Sequence, residues 1–567
     1  MALSQPALHH LQPGRALPSA GFGGAFASSP RLLCRVRLRA GAAQMVQHHR
    51  RRTRPLRQQP QARPRADPLV RAHAGAAAMT APVQSSLRDR LAYGVLLLVV
   101  LALPWPWGSV GEAAQGVLLA LTGLGLLLSL SSAEGARWPV GLGFRIAVGA
   151  WLLWLLWLCL SLLPLPLSWL QQLSPAAVAV HDGVRLLGLT PSYTLSTEPG
   201  ATWHYLIATL GLFGLYLLAA RTVSDNPRRK GLLAAMALTA GVQAFYGLGM
   251  TLTDTEIGYL VRKTFGRGSA TGTFVNRNHF AHLLALGAVA ALGLLLAQRA
   301  SEELREGWRG TFLRVSAWIM SPAAVWRVLL LVMLAAVVLS QSRMGNVALM
   351  VALVFAVLLW VLLHNRRRFV PALLLLASFA IADIWILDNY YGLEKVVERI
   401  DDTELETEQR TLAWQDLQPL IGQYLRTGSG GGSFQSLFMG VQSPQLYGLY
   451  DHAHNEYAEF LIEHGLFGLV WLLAMGVLHF RHAVWLLIGR RSGGARALGI
   501  AAAAALVAVA LHSLTDFILH IPALRGWLAV LMGALMAAGL RHRRDTRKPE
   551  RMRHNADTDL SPTAPVA

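Results

Sequence analysis

Cysteine is almost missing from this chain. Two residues in 567, Cys34 and Cys159, stand far apart and leave no disulfide or metal-ligating framework. Charge is scarce as well: Asp, Glu, Lys and Arg fill 14% of positions against 54% hydrophobic ones, too few for several water-soluble domains of this total length. Apolar runs of about 18–20 residues recur, the length a helix needs to cross a bilayer. The bilayer is therefore the expected solvent. Acids are rarest near the N-terminus, where Met1 to Arg71 holds thirteen arginines and a single acid, Asp67. That stretch buries too little apolar surface to fold, and it lacks the apolar core of a secretory signal. Residues 1–78 read as a disordered basic leader, with a start assigned too far upstream, and Met79 as the true one, as the alternative. Much of the net charge of +20 comes from this leader, so no nucleic-acid partner is expected.

Twelve apolar spans follow, at about 91–108, 112–130, 146–167, 202–220, 231–252, 279–298, 323–341, 345–363, 369–388, 457–479, 497–515 and 521–540. The expected fold is an all-α integral membrane protein of about 12 transmembrane helices. A polytopic domain at 88–541 would carry one large periplasmic loop at 389–455, and 542–567 would be a disordered cytoplasmic tail. With the N-terminus inside, loops of one parity hold the basic residues, among them Arg228, Arg229 and Lys230, then Arg366 to Arg368, then Arg490, Arg491 and Arg496. The loop at 253–278 breaks the rule, because Arg262, Lys263, Arg267 and Arg277 fall on the outer side. Anion binding is one reason to keep them there.

Unusual polar residues gather on that outer side, and polar groups at membrane depth are costly unless they function. Asn276-Arg277-Asn278-His279 opens the sixth span, and Ser340-Gln341-Ser342-Arg343 turns into the eighth. Ahead of the tenth come Arg410, the glycine-rich turn Gly428 to Phe434, and Asp451-His452-Ala453-His454-Asn455-Glu456. His512, Asp516 and His520 mark the last outer turn. Each has a plainer reading. Arginines at helix ends anchor to headgroups, His454 caps a helix, His512 is structural, and Asp516 and His520 pack between helices. Asp451, His452, His454 and Glu456 raise the question of a metal, but His-x-His alone, without His-Glu-x-x-His, leaves the expectation at no metal site and no cofactor. The glycine turn either cradles phosphate through its amides or serves as a hinge.

The spacing His454-Asn455, nine residues, Gly465, two residues, Gly468 resembles the signature of the O-antigen ligase family. Gly272 to Ala281, with its Asn276-Arg277-Asn278-His279, looks like the Asn-rich helix start of ligase and polymerase relatives. Ser340-Gln341-Ser342-Arg343-Met344-Gly345 is similar to their Ser-x-Ser-Arg-x-Gly turn, and Arg410 to Trp414 followed by Gly428 to Phe434 to the start of their large loop. The resemblance covers roughly 200–540. It implies a GT-C-like membrane glycosyltransferase of the bacterial inner membrane that takes a glycan from an undecaprenyl-diphosphate carrier, with no nucleotide sugar or required metal. The acceptor would be lipid A core or another glycan, and the partners would include membrane lipids.

Such chemistry needs fixed cations for a diphosphate leaving group and a base for the attacking hydroxyl. Arginine suits the first, because its planar fork holds two phosphate oxygens and stays protonated. Arg343 and Arg410 are the first candidates, with Arg277 and Arg426 next. Histidine suits the second, and His454 holds the motif position. Asn455, Asn278, Gly465 and Gly468 would support them. The alternatives are a polymerase of the same family and, further off, a polytopic transporter.

Overall fold

The computed structural model describes residues 86–131, 141–255, 257–258, 261–263, 267–298, 320–364, 409–490 and 492–538, together with 316 and 377. The leader 1–78, the tail 542–567, the span at 369–388 apart from residue 377, and the acidic start of the large loop lie outside the described residues.

The described residues are almost entirely helical. In chain order the helices are α1 (Leu87–Ala102), α2 (Glu112–Leu130), α3 (Leu142–Ser161), α4 (Leu167–Leu173), α5 (Pro175–Leu186), α6 (Pro199–Thr222), α7 (Asn226–Thr253) and α8 (Arg277–Leu296). Then follow α9 (Ala324–Ser340), α10 (Arg343–His364), α11 (409–424), α12 (Phe434–Met439), α13 (Glu456–Gly489), α14 (Gly493–His512) and α15 (Pro522–Ala537). Eight of these, α2, α3, α6, α7, α8, α10, α13 and α14, are long and apolar enough to cross a membrane, and α9 and α15 are shorter apolar helices. The chain is a multi-pass membrane protein.

Each expected span except that at 369–388 overlaps a helix, although the first stops at Ala102 and the helices long and apolar enough to cross a membrane number eight among the described residues. The third ends early, at Ser161, where Pro164 and Pro166 deny the backbone further helical bonds. The all-α expectation is met, with one short ribbon besides the helices among the described residues. In the basic loop after α7, Ile257–Gly258 and Val261–Arg262 pair as an antiparallel ribbon. Lys263 in the same loop is buried and donates to the Ser269 carbonyl at 2.8 Å, while Arg267 donates to the Lys263 carbonyl at 3.2 Å. Both of these cations hold their own loop together.

Helix starts are written locally. Asp225 accepts from the Arg228 amide, Asn276 from Asn278, Asn455 from Ala458 and Ser492 from Ala495, each satisfying a donor that the first turn leaves orphaned. Proline stands in the first turn of α5, α6, α7 and α15. The centre of the bundle is α8, 89% buried, which packs against α7, α9, α10 and α14. Small residues permit the approach: Gly287 faces Ala240, and a Cβ on Gly293 would lie 2.6 Å from the Ala497 carbonyl oxygen. Along the flank α15 lies on α6, with Gly533 against the Tyr216 backbone. At one end of the bundle Arg228 pairs with Asp89 at 2.7 Å and ties α7 to α1. The opposite end gathers the polar residues of the site.

Candidate functional site

The site is organised by a break in α13. At Gly465 the backbone takes φ +63° and ψ −167°, a conformation open in practice only to glycine. The break frees carbonyls that would otherwise close the helix, and the glycine turn fills the gap. Ser429 N donates to the Ile462 carbonyl and Gly430 N to the Glu463 carbonyl, both at 2.9 Å, while Leu466 N returns to the Leu425 carbonyl at 2.8 Å. A Cβ on Gly465 would stand 2.9 Å from the Arg426 carbonyl, and one on Gly468 would strike His464. Gly465 is thus a docking seam for the loop, and Gly468 makes room for His464 beside it. Arg426 contributes its main chain to that seam, and its side chain is exposed.

The glycine turn is held from within as well. Glu463, 2% exposed, accepts from Gly432 N at 2.9 Å and Phe434 N at 3.1 Å. Thr202 on α6 donates to the Gly431 carbonyl at 3.0 Å. The turn is neither a phosphate cradle nor a free hinge, because a buried carboxylate already takes two of its amides. Behind it α11, α12 and the start of α13 bury Leu417, Leu420, Tyr424, Phe434, Phe438 and Ile462 as one small core, so the described part of the large loop is a packed cap.

His454 sits where this cap meets α13. It adopts φ +49°, uncommon for a residue with a Cβ, and Asn455 after it caps the helix. Its Nδ1 is buried and faces Asp516 Oδ1 at 3.5 Å, the outer limit of hydrogen-bonding reach. The ring stands edge-on to Phe517 and Tyr450, with 31% of the side chain exposed. The accessible nitrogen is therefore Nε2. Asp516 lies in the turn between α14 and α15, is 1% exposed, and also faces His279 Nε2 of α8 at 3.9 Å. Burial pushes its carboxyl up, but the rings of His454, His279 and His512 outweigh that and hold it well below the usual carboxylate range. A second cluster lies beside the first. His452 Nδ1 donates to Glu459 Oε1 at 2.6 Å, and His520 stands 3.3 Å from both Glu459 and Glu456. Burial lowers the His520 imidazole, and the carboxylates of Glu459 and Glu456 override this and raise it to about 10.

Arg410, on the first turn of α11, donates to the Thr515 carbonyl at 3.3 Å, next to Asp516. Arg343 opens α10, where Gly345 packs on Ala281 two residues beyond His279. Arg277 opens α8 half-buried, and Asn278 donates its amide to the Asn276 side chain, a capping role. The structure thus joins His454 and Arg410 to the Asp516 turn, while Asn455 caps α13. Arg277, Asn278 and Arg343 sit on helix starts at the same end, Gly465 and Arg426 form the seam, and Gly468 packs on His464.

One residue of this end, Asp516, was given a packing role in the sequence, and another, Arg525, was passed over. Asp516 reads there as a packing residue, and only the fold brings it to His454. Arg525 has a signal, being the one charge in the apolar run 521–540. It lines two cavities at once, one of about 740 Å³ bounded by Trp154, Tyr205, Phe460, Ser513 and Leu519 among others, and one of about 600 Å³ with Glu112, Gln115 and His204. Its Nε is buried without a hydrogen-bond partner. The larger cavity follows α13 from Tyr457 to Val484 and is overwhelmingly apolar, a shape suited to a lipid chain below a cation.

No curated protein matches the chain. A family model described as O-Antigen ligase matches residues 328–473, from α9 through the cap to just past Gly468, and so covers Arg343, Arg410, Arg426, His454, Asn455, Gly465 and Gly468. Arg277, Asn278, Asp516, His520 and Arg525 lie outside the match. This multi-pass membrane protein carries, in its C-terminal half, an O-antigen ligase domain.

Proposed function

We propose that the chain is a glycosyltransferase of the O-antigen ligase type, moving a glycan from undecaprenyl diphosphate to an acceptor hydroxyl at the periplasmic face of the bacterial inner membrane. The observation that carries this reading is the buried Asp516 carboxyl facing His454 Nδ1 at 3.5 Å, with Arg410 held on the neighbouring Thr515 carbonyl. Asp516 orients the imidazole through Nδ1, which leaves Nε2 to take the proton of the acceptor hydroxyl. The hydroxyl oxygen attacks the anomeric carbon, the bond from that carbon to the diphosphate breaks, and the configuration inverts. Arg343 and Arg410, with Arg277, Arg426 and Arg525, receive the charge that develops on the departing diphosphate. The polyprenyl chain lies in the apolar cavity along α13.

On this reading the polytopic body spans 88–541 with its outer loop at 389–455, and the basic loops face the cytoplasm. Complementation tests it. Ligase-deficient and polymerase-deficient bacteria would receive the wild type and His454→Ala, with insertion checked by immunoblot and envelope glycans read on a gel. Long-chain lipopolysaccharide restored only by the wild type supports the ligase. Chain length restored only in the polymerase-deficient strain makes it a polymerase, and rescue by His454→Ala sinks the mechanism.

A further inference from the structure

We infer that His452, Glu459 and His520 form a binding site for a divalent transition-metal ion of the zinc class, separate from the His454–Asp516 pair. The three come from three elements: the segment ahead of α13, the first turn of α13, and the short 3₁₀ turn Ile518–His520. One ligand atom from each lies within 4.8 Å of the other two. Glu459 Oε1 is 2.6 Å from His452 Nδ1 and 3.3 Å from His520 Nε2. A tetrahedral ion with bonds of about 2.0–2.2 Å sets its ligands roughly 3.3 Å apart, so small ring rotations admit one.

The surroundings are those of a built site. Metal-bound histidines usually hand their second ring nitrogen to a carboxylate, and His520 Nδ1 lies 3.3 Å from Glu456 Oε2, with no other hydrogen-bond partner for either atom among the described residues. The second oxygen of Glu459 takes the Ala453 amide at 2.8 Å, which fixes the carboxylate plane. The His452 ring is stacked on Phe517 at 4.3 Å. Glu456 and Glu459 are fully buried side by side, an arrangement that demands positive charge between them, and a dication meets the demand better than one imidazolium. Two imidazoles and one carboxylate favour zinc, cobalt or nickel over magnesium or calcium. The bound ion would clamp the 452–454 segment to α13 and to the turn before α15, and so would hold His454 in its left-handed conformation. The inference stands on the cluster geometry and is independent of the transfer reaction.

The test is metal binding by the full-length protein in detergent, stripped with a chelator and titrated with Zn²⁺ by calorimetry, then loaded with Co²⁺ for visible spectroscopy. Wild type should take one tight equivalent and give the intense d–d bands of a low-coordinate Co²⁺ site. His520→Gln and Glu459→Gln should each weaken that equivalent tenfold or more, while His454→Ala keeps it. His9, His10, His48 and His49 of the leader offer loose adventitious sites, so the diagnostic equivalent is the one lost in the variants. Each variant is compared only where it elutes as a single folded species. Absence of a tight equivalent in wild type, equal Zn²⁺ affinity in the folded variants, or a preference for Mg²⁺ would overturn the site. His520 would then stand as a charged bridge between Glu456 and Glu459.

Discussion

Asp516 Oδ1 stands 3.5 Å from His454 Nδ1 and 3.9 Å from His279 Nε2, so one buried acid faces rings from two different segments of the chain. On the proposed reaction, that relationship would orient a loop histidine as the base. Asp516→Asn keeps the shape of the side chain but loses the charge that selects the Nδ1–H tautomer. Glycan transfer should slow by about 100-fold or more with the donor KM little changed. A steady-state transfer assay on purified protein checks this.

The same carboxyl gives a pH signature. Its folded-state pKa is depressed, so its stabilisation is present above the unfolded value of about 3.9 and is lost as pH falls through the lower folded value. The gap in melting temperature between wild type and Asp516→Asn should therefore shrink as pH is lowered from about 5 to about 3. Thermal melts in detergent across that range read it directly.

The seam at the α13 break predicts stability rather than rate. Gly465→Ala forces a Cβ into the Arg426 carbonyl in a backbone region that side chains avoid, and should cost about 1–3 kcal/mol. Gly468→Ala overpacks His464 by a similar amount. Gly476→Ala, where a Cβ would meet nothing within 4 Å, is the neutral control. Denaturation midpoints of the three variants make the comparison.

Arg525 tests the lipid side of the account. Arg525→Gln removes the buried cation that lines both cavities and should raise the donor KM about 10-fold or more, the scale of one charge-assisted hydrogen bond of about 1.5–3 kcal/mol. Kinetics with a long-chain and a truncated polyprenyl donor separate head from chain. The loss on Arg525→Gln should be equal for both.

Much of this was legible in the sequence. The apolar runs gave the helices, because a bilayer-crossing helix must satisfy its backbone internally and advertises itself by length and composition. The motif spacing located His454 and the two glycines, although the purpose of Gly465 appears only once the 426–434 turn is threaded through the α13 break. Asp516 could not be paired with His454 from sequence, since 61 intervening residues (516 − 455) fold back through α13 and α14 before the two meet. The glycine turn was misread for the same reason. Its amides are claimed by Glu463, a residue of the motif stretch whose side chain turns away from His454 toward Gly432 and Phe434.

The most direct test of the central claim is single-turnover transfer in proteoliposomes, with a labelled undecaprenyl-diphosphate glycan and a hydroxyl acceptor. Wild type should release undecaprenyl diphosphate only when acceptor is present, and His454→Ala should bind the donor with similar affinity yet release none. Transfer by His454→Ala at the wild-type rate, or passage of intact donor across the vesicle wall without bond cleavage, would contradict it.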